Sequence, residues 1–194
     1  MSTILLNIGK FENRIKMEEI VKASNLVNGK IVLDGCMVTK SGYIVDLMNP
    51  DSRTILIEDI AHGLANNCRW NGHTQSFWSV AQHCCMMFDM APDGLKLTHL
   101  FHDAEEAYWS DIIKPLKNIL NDKCPEILQR MRDMRKMICD KFSVPYPEEI
   151  TKKNDFDCLL WEFENIVKSQ SVIAWGPKRA EKEWLKRYYS FKKE

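Results

Sequence analysis

Two imidazoles and three carboxylates crowd residues 99–106 of the stretch LTHLFHDAEEAYWSDIIKPLK, residues 97–117: His99, His102, Asp103, Glu105 and Glu106. On a helix, positions i, i+3, i+4 and i+7 share one face, and His99, His102, Asp103 and Glu106 form such a set. His102 and Asp103 are neighbours, about 100° apart around a helix, so both can reach one ion at the edge of that face. An imidazole nitrogen with a carboxylate oxygen suits Mn, Co, Fe, Zn or Ni better than Ca or Mg. Two ligands are not a site, because such ions take three or four protein donors with water completing the shell. Other elements must supply the rest. His83 lies in the very apolar run SFWSVAQHCCMMFDM, where an imidazole is either a ligand or a core histidine bonded to a carbonyl. In KKNDFDCLLWEFE, Asp155 and Asp157 open an apolar helix and Glu162 follows Asp155 by seven residues. Those aspartates either ligate or face the positive end of the helix dipole.

The elements that must position these groups read mostly as helices. The periodicity predicts helices over 14–27, 57–70, 76–90, about 95–109, 125–142, 145–169 and 178–192. Ser110-Asp111 can cap a short turn, and Pro115 suits the first turn of a further helix. Between the first two helices the period changes. The β-rich runs flanking Lys40-Ser41-Gly42 predict a β-hairpin over roughly 31–48, within a segment 30–50 that closes at Asn49-Pro50-Asp51. Met131, Met134 and Met137 recur at helical spacing and read as core or as a dimer face. The expected architecture is one all-α domain over 1–194, with a small N-terminal β-hairpin, a helical core over 57–169 and a C-terminal helix whose basic face is solvated.

Composition narrows the function. The chain has 194 residues, 45% hydrophobic and 28% charged, and Lys plus Arg balance Asp plus Glu at 27 each. Zero net charge argues against bulk electrostatic binding to nucleic acid or an anionic membrane, and leaves room for a small anion held by local cations. No apolar run is long enough to span a membrane, and the N-terminus carries no secretory pattern. The seven cysteines contain no CxxC pair and read as reduced, mostly buried thiols, which points to the cytoplasm.

His83, then His102-Asp103, then Asp155 resembles the H…HD…D signature of the HD-domain metal-dependent phosphohydrolases. The surrounding words CRWNGHT…SFWSVAQH, FHDAEEAYWSDIIKPLK and KKNDFDCLLWE resemble the compact phage and bacterial members, which include 5′-deoxynucleotidases and dNTP triphosphohydrolases such as dATPases. The likeness spans about residues 40–165. It implies an HD-domain helical bundle that holds one divalent transition metal (Mn, Co, Zn, Fe or Ni) by His83, His102, Asp103 and Asp155. It implies catalytic roles for Glu106, in proton transfer, and for Arg69, which also grips the substrate phosphate. Trp70 would lie beside the nucleoside, Asp111 against the sugar hydroxyl and Lys117 toward a phosphate. Asp155 is preferred to Asp157 because Glu162 then falls seven residues on. Ser110 stands where the family has glycine before this aspartate. Glu105 is expected to be the exposed neighbour of Glu106, and His99 to lie outside the ligand set.

The implied activity is hydrolysis of a deoxynucleotide at its α-phosphate, releasing phosphate from a monophosphate or triphosphate from a dNTP. The partner is a small nucleotide, in the host cytoplasm if the chain is phage-encoded, and a homo-oligomer is compatible. Two alternatives stand: a phosphodiesterase for cyclic or oligomeric nucleotides, and a non-catalytic nucleotide-binding HD domain. An intact ligand set with Glu106 speaks against the latter.

Overall fold

The computed structural model describes residues 25–27, 30–32, 35–147 and 149–192. Two compact units divide at Ile55–Leu56. In the first, β1 (Asn25–Val27) pairs antiparallel with β2 (Lys30–Val32), and β3 (Cys36–Val38) pairs antiparallel with β4 (Ile44–Asp46) in the register Cys36–Asp46. The expected hairpin is the β3–β4 pair. Gly42 turns it at φ +87°, its N–H donating to the Thr39 carbonyl. Asp46 ends it by accepting from the backbone N–H groups of Met48 and Asn49. The expected helix over 14–27 lies outside the described residues up to 24, and its last three residues are strand.

The second unit is helical: α1 (Ile57–Asn66), α2 (Val80–Met90), α3 (Lys96–Leu100), α4 (Glu106–Trp109), α5 (Lys114–Lys123), α6 (Pro125–Phe142), α7 (Glu149–Glu162) and α8 (Pro177–Phe191). The fold is therefore mostly α with a small N-terminal hairpin. Helix α2 starts four residues later than expected, because Ser79 caps it by accepting from the Gln82 N–H. Helix α7 gives way after Glu162 to a π-helical turn, Phe163–Val167. Among the described residues no helix is long and apolar enough to cross a membrane.

The single helix expected over 95–109 is two helices joined by turns at 101–105. The cause is local. In an α-helix the His99 carbonyl would accept from the Asp103 N–H, but here the His102 ring takes it, Nδ1 to oxygen at 2.7 Å. The backbone tightens to i→i+3 bonds: Ala104 N–H to Phe101, Glu106 N–H to Asp103 and Ala107 N–H to Ala104.

The C-terminal helix is a core element rather than a solvated appendage. Ala180, Trp184 and Tyr188, spaced by four, bury one stripe of α8 against α1, α2 and α3. Phe101 sits in an aromatic cluster with Trp184 at 5.3 Å, Tyr188 at 5.7 Å and Phe142 at 5.8 Å between ring centroids. The residue just before His102 is thereby fixed in the core. Met131 and Met134 are buried, the core reading of their stripe.

Helix α1 passes α4 closely at Gly63, where a Cβ would lie 2.7 Å from the Ala107 carbonyl oxygen. Gly63→Ala is expected to destabilise by about 1–3 kcal/mol through overpacking, despite alanine's better helix propensity. A raised denaturation midpoint for this variant would contradict the close approach.

Candidate metal centre

Helix α2, the 101–105 turn and α7 bring four side chains to one point. The Nε2 atoms of His83 and His102 stand 3.1 Å apart. Asp155 Oδ1 is 3.1 Å from His83 Nε2 and 3.7 Å from His102 Nε2. Asp103 Oδ2 is 3.0 Å from His102 Nε2 and 3.8 Å from His83 Nε2. Around an ion with metal–ligand distances of about 2.1 Å, ligand atoms at right angles lie about 3.0 Å apart and at tetrahedral angles about 3.4 Å apart. The spacings bracket those values, and two overlapping groups here, His83 with His102 and Asp155, and Cys84 with His102 and Asp103, could hold a metal ion. His83, His102 and Asp103 are buried, and Asp155 is the half-exposed edge of the set.

The opposite edges of the two rings settle which nitrogens face inward. His102 Nδ1 meets the His99 carbonyl, which can only accept, so Nδ1 carries the hydrogen. His83 Nδ1 lies 2.8 Å from Glu162 Oε1 and donates to it. Each neutral ring then turns an Nε2 lone pair toward the two aspartate oxygens. In that neutral form four acceptors converge, a crowding that hydrogens on the Nε2 atoms or a bound cation would relieve. The same demand appears in the ionisation of the rings. Burial opposes their charging, as does Arg69 for His83, yet Glu162, Asp103 and Asp155 hold both imidazoles well above the usual histidine range.

Glu162 is the hub behind this set. Its fully buried carboxylate also accepts from Trp78 Nε1 at 2.9 Å, Trp70 Nε1 at 3.1 Å and Arg69 Nε at 3.0 Å. Burial works against its charge, but Arg69 and His83 outweigh that and hold the carboxyl down at about 2. Two thiols stand nearby. Cys158 Sγ lies 3.5 Å from His83 Nδ1, on the side away from the aspartates. Burial pushes the Cys84 thiol up, so it stays protonated, and its bond to His102 only partly offsets this. His99 is buried too. Its Nδ1 donates to the Leu95 carbonyl and its Nε2 accepts from Asn154 Nδ2, tying α3 to the residue before Asp155.

The remaining expected residues surround this centre. Arg69 spends Nε and Nη2 on Glu162, and Nη1 stands 3.8 Å from Asp103 Oδ2. Trp70 adopts φ +58°, held by its bond to Glu162 and by its ring 6.0 Å from that of Phe163. Glu106 is buried: Oε1 accepts from Lys117 Nζ at 3.2 Å, and Oε2 has no hydrogen-bond partner among the described residues. Burial, then the charges of Asp103 and Asp111, hold the Glu106 carboxyl well above the usual range, against Lys117. Lys117 is therefore an ion-paired residue with its side chain 31% exposed, not a free solvated lysine. Asp111 is half-buried, and burial raises its carboxyl despite Arg69.

Glu105 is not the exposed neighbour that its position suggests. It is fully buried and pairs with Arg135 of α6 through one guanidinium edge, Nε donating to Oε2 and Nη2 to Oε1. The i→i+3 turns rotate it inward, away from where a continuous helix would place it.

Ser110 keeps a glycine-like backbone, φ +65° and ψ 161°, a region that residues with a Cβ avoid at about 1–3 kcal/mol. Ser110→Gly is expected to stabilise the chain by about 1 kcal/mol, read as a higher melting temperature with unchanged metal content. A lower melting temperature would mean that the hydroxyl, not the backbone, governs this turn.

No family model matches the chain. It is similar to the uncharacterized protein YfdR of Escherichia coli K12, 38% identical over 104 residues that cover 53% of this chain and 54% of that protein. It is also similar to an uncharacterized protein of Rhodobacter capsulatus, 39% identical over 100 residues that cover 47% of this chain and 51% of that protein. The chain thus spans about half the length of the curated relatives it matches.

Proposed function

We propose that this chain is an HD-domain phosphohydrolase that uses one divalent transition metal to hydrolyse a deoxynucleotide at its α-phosphorus. The observation that carries the reading is the convergence of two imidazole lone pairs and two carboxylate oxygens, with both ring hydrogens committed elsewhere. His83, His102, Asp103 and Asp155 would hold the ion. When bound, it supplies Lewis acidity toward a phosphoryl oxygen and lowers the pKa of water.

The chain's own residues do the rest. Arg69, kept charged and oriented by Glu162, presents Nη1 beside Asp103, where it can donate to a phosphate oxygen. The Glu106 carboxyl, raised by burial and by Asp103 and Asp111, has one oxygen without a partner among the described residues, so it can take part in proton transfer with a leaving oxygen. Asp111 can accept from a sugar hydroxyl, and the plane of Trp70 can lie against a nucleoside. The buried tryptophans and Phe101 keep bulk water from the rear of the site.

A panel of deoxy- and ribonucleoside mono-, di- and triphosphates with Mn or Co tests the reading, scoring phosphate and triphosphate release separately. Turnover of a deoxynucleotide that chelator abolishes and the metal restores is the expected result. No turnover of any nucleotide, or turnover indifferent to chelator, would sink it. Glu106→Gln is expected to keep the metal and lose about 10²–10⁴-fold in rate. An unchanged rate would remove its proton-transfer role.

A further inference from the structure

The helical unit has a cationic concavity that the proposed chemistry leaves unused. A cleft of about 700 Å³ is lined by Lys114 and Lys117 of α5, Arg132 and Arg135 of α6, and Lys152 of α7. That volume lies in the range of small-molecule sites. Its one lining carboxylate is Glu105, already committed to Arg135. Lys152 pairs with Glu149 at the surface. Lys114 has no ion pair among the described residues, and Arg132 donates only to the neutral Gln129 there. In a chain of zero net charge, five cations from three helices around one concavity are a concentration and not an average.

The cleft adjoins the metal centre. Lys117 lines it and also holds Glu106, and Glu105 lines it two residues after Asp103. We propose that it binds a run of linked phosphates, those of a nucleotide beyond the one presented to His83, His102, Asp103 and Asp155. This rests on the hydrolase reading and selects its triphosphate form. Several cations at separate points on a concave wall match a chain of charges better than a single phosphate. The cleft is too small for an extended nucleic acid, and zero net charge argues against one.

The test titrates inorganic tripolyphosphate and, separately, orthophosphate into the full chain by calorimetry in metal-free buffer at physiological salt. The variant Lys114→Ala/Arg132→Ala/Lys152→Ala changes only exposed side chains, so its circular dichroism and Mn uptake should match the parent's. Tripolyphosphate is expected to bind at least ten-fold more tightly than orthophosphate, and the triple variant to lose at least ten-fold of that affinity. Tripolyphosphate should also inhibit hydrolysis of a deoxynucleoside triphosphate competitively. Equal affinity in parent and variant, or no tripolyphosphate binding, would overturn the proposal. Non-competitive inhibition would overturn the substrate-tail assignment and point to a free polyphosphate effector. If no nucleotide is hydrolysed while tripolyphosphate binds the parent and not the variant, the hydrolase reading fails and the anion cleft stands.

Discussion

His102→Ala is expected to abolish the proposed metal binding and the proposed turnover while leaving the helices in place. His102 Nε2 stands at the middle of the set, 3.1 Å from His83 Nε2 and 3.0 Å from Asp103 Oδ2. Its loss leaves three donors, one of them the half-exposed Asp155. The damage to the fold is small. Without the ring, the His99 carbonyl is free to accept from the Asp103 N–H, so no backbone group is orphaned. Elemental analysis of protein purified without chelator should fall from near one ion per chain to a trace. Hydrolysis should fall below detection, with far-ultraviolet circular dichroism unchanged. Full metal content in this variant would refute the assignment of the centre. Turnover at the parent rate would do the same for the proposed chemistry.

Glu162→Ala should be the most destabilising single change in the helical unit, by about 3–5 kcal/mol. The carboxylate is the common acceptor for Arg69, Trp70, Trp78 and His83. Truncation leaves a buried guanidinium whose remaining ion pair among the described residues is with Asp103 at 3.8 Å, and three ring N–H groups without their partner. Each of these donors costs free energy when buried unpaired. Glu162→Gln keeps an acceptor oxygen but loses the charge, so its cost should fall between that of alanine and zero. Chemical denaturation followed by tryptophan fluorescence reads both variants, and a loss under 1 kcal/mol for alanine would show that water or rearrangement replaces the hub. Metal affinity should fall in both, because the His83 tautomer loses the partner that fixes it.

Of the four converging side chains only His102 and Asp103 draw attention by their own chemistry, and His83 and Asp155 join them in the sequence through the resemblance to the H…HD…D signature. An imidazole in the apolar run of α2 and a His-Asp pair on an amphipathic stretch are few enough to be matched by type and order alone. The hub was not legible. Glu162 was visible only as a spacing from Asp155, since its donors come from residues 69–83, distant in sequence, and nothing local marks a carboxylate as a shared acceptor. Glu105 and Glu106 are equivalent in a helical reading. What separates them is the His102 ring taking its own helix's carbonyl, which turns the chain and sends Glu105 to Arg135 and Glu106 to Lys117. The buried side of the last helix is hard to read for a related reason. Its charge density hides the narrow stripe of Ala180, Trp184 and Tyr188, and burial depends on that stripe and not on the average.

That stripe bears on how the molecule is made. Phe101, next to His102, finds two of its aromatic neighbours at positions 184 and 188, more than eighty residues downstream. During synthesis, α2 and the His-Asp turn emerge long before the helix that clamps them. The cluster around Phe101 therefore closes only after Tyr188 has left the ribosome, and the first half of the helical unit must wait with its apolar faces uncovered. The convergence of His83, His102, Asp103 and Asp155 is therefore expected late in folding, set by the arrival of residues that lie outside the convergence itself.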